Sequence, residues 1–166
     1  MYRIDNRIFS IGDSITPQRL YQSQLRDGKI EVEQILEANR LQMKPKRTDI
    51  LMLFEDFESA KSHWIKQKDG IFYEVSINDQ DIIHIGDYSK VEELYDAISK
   101  GKDYTHIAME YWNGMFSKKP VKEFFVMSAC VKNVISNSEE ERKNEFKAKY
   151  LNILNPKIRR IINPLN

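Results

Sequence analysis

Apolar runs short enough to be β-strands alternate along this chain with capped helices of modest length, and that alternation limits the folds available to it. "TDILMLF" (49–54, with Thr48) is an apolar run of buried-strand length, and "IFYEVSI", "DIIHIGD", "PVKEFFV" and "SACVKNVI" are strands by composition and period. Between them, "EVEQILEANR" places Val32, Ile35 and Leu36 on one helical face. In "EDFESAKSHWIKQKDG", Asp56 is the expected N-cap, Phe57, Ala60 and Trp64 form the stripe, and Gly70 ends the segment. Ser89 with Glu92, and Ser138 with Glu141, have capping-box spacing. The first starts a helix with Val91, Leu94, Tyr95 and Ile98 inside; the second starts a terminal helix with Phe146, Tyr150 and Leu154 inside. Asn78-Asp79 reads as the turn of a hairpin, and "YTHIAMEYWNG" as a further short helix. The expected class is α+β with a mainly antiparallel sheet and flanking helices.

The 166 residues fit one domain, 1–166, of which 138–166 is a helix with a basic tail. Twenty-six Lys and Arg against 25 Asp and Glu leave a net charge of +1, so any basic footprint must be local. The single cysteine, Cys130, excludes an internal disulfide; set in an apolar run, it reads as a buried structural thiol in a reducing compartment. No signal peptide or membrane span is expected, and the expected location is the cytoplasm. His63, His84 and His106 lie far apart, which argues against a metal site. No strand is followed by a phosphate-cradling glycine pattern.

One residue stands out chemically. Strand period puts Glu123 on the same face as Val121 and Phe125, and a carboxylate on an apolar face costs free energy unless it is bound or hydrated. Either it serves a ligand, or it lies on a sheet edge paired with Lys or Arg.

The order of elements carries a resemblance. "YRID" with its arginine, "DILMLFEDFESAKSHWIK" running from strand into helix, "GIFYEVSI", and the lone strand glutamate of "PVKEFFV" together resemble the ADP-ribosyltransferase superfamily, in particular its small bacterial toxin and defence-type members. The resemblance implies a split antiparallel sheet, NAD as co-substrate without a metal, and transfer of ADP-ribose with loss of nicotinamide. It implies Glu123 as the catalytic carboxylate. It implies cofactor contacts at Tyr2 and at Arg3, which holds phosphate or ribose, and at Trp64 with His63 beside it for the nicotinamide. Core packing competes for Trp64, and Tyr111 and Trp112 either line the cleft or seal the core. Position 121 is Val where arginine-modifying members carry a second glutamate, which disfavours that subtype. The expected acceptor is a nucleic acid, held by Lys46 and Arg47 of "KPKR" and by Arg159 and Arg160 of "PKIRR"; a protein acceptor is the second choice. A cognate antitoxin is implied by resemblance alone, and a binding module that keeps the fold without the chemistry is the rival.

Overall fold

The computed structural model describes residues 1–18 and 29–151, so Arg159, Arg160 and Leu154 lie outside the described residues. The elements are β1 (Tyr2–Asp5), β2 (Ser14–Ile15), α1 (Lys29–Ala38), β3 (Leu51–Phe54), α2 (Phe57–Lys66), β4 (Ile71–Ser76), β5 (His84–Asp87), α3 (Tyr88–Ser99), α4 (Thr105–Trp112), β6 (Lys122–Val126), β7 (Ala129–Ser136) and α5 (Glu139–Phe146). A short 3-10 turn, Arg47–Asp49, leads into β3. The class is α+β, with one seven-stranded antiparallel sheet ordered β2-β7-β4-β1-β3-β6-β5. No helix among the described residues is long and apolar enough to cross a membrane.

The chain connections force this sheet to curl. Only Met127 and Ser128 separate β6 from β7, so Val126 and Ala129 are at most about 11 Å apart at Cα. Four strand spacings separate those strands in the sheet order, about 19 Å if it were flat. The sheet closes over its inner face, where Ile15, Leu51, Leu53, Tyr73, Val75, Phe124, Val126 and Val131 form one core. Helices cover the outer face in two groups. Val32 and Leu36 of α1, Val91 and Leu94 of α3, and Tyr111 and Trp112 of α4 pack with Phe125. Ala60, Trp64 and Ile65 of α2 pack on Phe54 and Phe72.

Between these groups the sheet is nearly parted. β1 meets β4 through four residue pairs, but it meets β3 through Tyr2↔Phe54 alone. Beyond that pair the strands diverge, and the Met52 carbonyl accepts instead from Arg3 Nη1 at 3.0 Å.

The hairpin expected from the turn residues Asn78-Asp79 does not form. β4 and β5 are not neighbours, and neither are β6 and β7, although each pair is joined by a short connection. A short link restricts where the next strand starts, whereas its partner is chosen by the face it must bury. The N-cap of α2 is Asp56, which accepts from the Ser59 N–H. That of α3 is Asp87 rather than Ser89: its carboxylate accepts from the backbone N–H groups of Ser89, Ser117 and Val121, tying helix, loop and sheet together. In α5 Ser138 caps as expected, but the Glu141 carboxylate turns to Ser136 Oγ. Phe146 is largely exposed; α5 docks on α2 through Arg142, which donates to the Gln67 carbonyl at the end of α2, and through a Lys61–Glu145 ion pair. Cys130 is exposed rather than buried, because alternation along β7 turns Ala129 and Val131 into the inner core and Cys130 to the opposite face.

Candidate functional site

One row of paired residues crosses four strands: Tyr2 of β1, Phe54 of β3, Glu123 of β6 and Gly86 of β5. β6 lies between β3 and β5, so Glu123 is not on a sheet edge. Its side chain enters the layer under α1, α3 and α4 and is 2% exposed. A carboxylate there requires donors. Arg47 Nη1 donates to Glu123 Oε1 at 2.7 Å, and the Tyr111 hydroxyl makes a short hydrogen bond to the same oxygen. Arg47 also makes a short bond to the Tyr111 oxygen, and its Nε donates to Glu33 Oε2 at 2.9 Å. The guanidinium carbon lies 5.3 Å and 5.5 Å from the ring centres of Tyr111 and Phe125. Burial, and next to it the Glu123 carboxylate, raise the Tyr111 phenol well above its ordinary value despite the opposing charge of Arg47, so the ring keeps its proton.

The two oxygens of Glu123 are used unequally. Oε1 takes both donors, and Oε2 has no hydrogen bond among the described residues. Nor is Oε2 one of the two fully enclosed polar side-chain atoms without a partner among the described residues, which are His84 Nε2 and Ser117 Oγ.

Gly86 makes this geometry possible. A Cβ there would lie 2.9 to 3.0 Å from the Tyr111 ring, closer than packed atoms approach. Gly86→Ala should therefore push Tyr111 off Glu123 and cost about 1–3 kcal/mol, read from the denaturant midpoint. An unchanged midpoint would show that the ring has room to move.

His84 sits beside the cluster, 6% exposed and stacked on Trp112 at 5.5 Å. Lys44 Nζ lies 3.2 Å from Nδ1; an ammonium can only donate, so Nδ1 accepts and the ring proton sits on Nε2. Burial, then the charges of Lys44 and Arg47, lower the imidazole to about 4. Trp112 belongs to the core and donates to the Leu36 carbonyl at 2.6 Å.

The residues expected to hold NAD gather unequally. Tyr2 and Glu123 both pair with Phe54, and the His63 ring is 5.1 Å from the Phe54 ring and 5.2 Å from that of Tyr88. His63 contacts Gln67 at 2.7 Å and is lowered to about 3 by burial, then by the charges of Lys29, Lys66 and Arg3. Arg3 belongs to a different group. Alternation along β1 turns it away from the Tyr2 face into the parting between strands, where it holds the Met52 carbonyl and the Asp5 carboxylate. Arg7 shares Asp5; burial works to raise that carboxyl, but the hydrogen bonds and charges of Arg7 and Arg3 outweigh it and hold it below its ordinary range. Trp64 is core: it is 1% exposed, stacks on Phe72 and donates to the Gly70 carbonyl at 2.9 Å.

The basic loop is not the phosphate grip that its composition suggests. Arg47 is 4% exposed and committed to Glu33, Tyr111 and Glu123, and Lys44 lies on His84; Lys46 is exposed. Sequence reasoning missed Arg47 and Tyr111 as the partners of Glu123, and Glu33 as the partner of Arg47. The signal was there: a buried carboxylate needs a cation, and Arg47 stands at the entry to a buried strand. Two shallow hollows flank α5, and Glu123, Arg3 and Tyr111 line neither. In comparisons with known proteins, no family model matches the chain and no curated protein matches it.

Proposed function

We propose that this domain is an NAD-dependent ADP-ribosyltransferase in which Glu123 is the catalytic carboxylate. One observation carries the reading: Tyr2 and Glu123, chosen from the sequence for this role, are the strand partners of Phe54 on its two sides, and the ring of His63, chosen with them, lies 5.1 Å from the Phe54 ring, beside the parting of the sheet. Breaking the bond between nicotinamide and ribose builds positive charge on the ribose, and a carboxylate accepting from the ribose 2′-hydroxyl stabilises that charge. The acceptor's nucleophile then forms the new bond to the ribose carbon, its proton passes to solvent, and nicotinamide leaves. A nucleic acid remains the proposed acceptor. Among the described residues only Lys46 of the proposed contacts is free to serve it, so the proposal leans on Arg159 and Arg160. A cytoplasmic toxin or defence role with a neutralising partner belongs to the same proposal.

The second reading, a binding module without chemistry, is favoured by the burial of Glu123 against Arg47. The test uses the whole chain with NAD labelled in its adenylate phosphate, offered separately with DNA, RNA and protein. Transfer to a polynucleotide with matching nicotinamide release is expected, falling about 10²- to 10³-fold in Glu123→Gln. Label on protein alone would replace the acceptor. A folded wild-type chain that consumes no NAD with any pool would leave the binding module.

A further inference from the structure

We infer that Tyr111 and Arg47 are positioning residues that pin Oε1 of Glu123 so that Oε2 is presented to the ribose, an inference that rests on the reading above. A carboxylate bonded through one oxygen to a single donor can still pivot about its last side-chain bond. Two donors on the same oxygen, arriving from α4 and from the 3-10 turn before β3, remove that pivot and leave the second oxygen's lone pairs uncommitted. The donors are themselves held. Arg47 is oriented by Glu33 of α1 and lies against the rings of Tyr111 and Phe125, while Tyr111 is seated against Gly86 of β5. Five elements thus converge on one oxygen, and the other carries no protein bond among the described residues. A carboxylate that only anchors the fold gains nothing from leaving one oxygen without a protein donor, since each hydrogen bond to a charged group stabilises more than one between neutral groups. A carboxylate that must accept from a substrate hydroxyl does gain from it.

Tyr111→Phe removes one donor and no charge. It should lower kcat about 10- to 100-fold, the worth of a hydrogen bond to a charged group, with KM for NAD unchanged. Arg47→Lys, which keeps the charge but not the fork, should show the same split less steeply. Circular dichroism and thermal melts define the folded fraction on which each rate is based. A wild type that releases nicotinamide, with variants that melt earlier but keep its kcat and KM per folded molecule, would overturn the positioning role and leave the parent reading standing. A wild type that releases none would remove the parent reading, and this inference with it.

Discussion

Replacing Arg47 by Met should destabilise the domain by about 3–5 kcal/mol, the cost of taking away one partner of a buried ion pair. The substitution keeps a long apolar stem against Tyr111 and Phe125 but takes the guanidinium away from two carboxylates: Glu123, 2% exposed, and Glu33, whose side chain is 11% exposed. Their charges would then face each other without the guanidinium between them. Adding Glu123→Gln to Arg47→Met should recover part of the loss, so the two changes are far from additive. Urea unfolding of the two single variants and the double variant measures this. A loss under about 1 kcal/mol in Arg47→Met would mean that water already reaches the pair.

Mild acid should weaken the fold through two histidines. Burial and neighbouring cations lower His63 to about 3 and His84 to about 4, from an ordinary 6.5, so both rings are neutral in the folded chain. As pH falls below about 6.5 the unfolded chain takes up protons that the folded chain refuses, so stability is full above that pH and declines toward 4 and 3. Between pH 7 and pH 5 the expected loss is on the order of 2–4 kcal/mol, trimmed because His63 keeps part of its surface in water. His84→Phe should flatten part of this slope, since the ring is packed among Trp112, Tyr111 and Phe125 and its Nε2 has no partner among the described residues. Equal midpoints at the two pH values would show that the rings protonate in the folded state.

What could be read from the residues alone was what is decided nearby. The cap and stripe of α2 follow from neighbours within a turn or two, and Asp56, Ala60 and Trp64 do what their spacing says. The cap of α3 was misplaced because Asp87 is chosen by partners 30 and 34 residues away, which no local pattern records. A strand neighbour was misread for the same reason: Asn78-Asp79 looks like a hairpin turn, yet the strands it joins, β4 and β5, find their partners elsewhere in the sheet. Glu123 was visible as an anomaly, a charge where period demands an apolar side chain. Its answer, Arg47, was hidden in a basic run whose composition resembles a solvated loop.

The order of the strands sets how this chain must assemble. β1, at the middle of the sheet, pairs with segments some fifty and seventy residues further on, Tyr2 with Phe54 and Arg3 with Tyr73, and the outer rung joins Ser14 to Cys130. Almost no rung of the ladder closes a short loop, so the chain loses much of its freedom before the pairings reward it. Such a domain folds on a timescale of milliseconds to seconds rather than microseconds, with strand edges open in the meantime. Synthesis adds about 5–20 residues each second, so β4 waits several seconds beside β1 before β7 exists to cover its other edge.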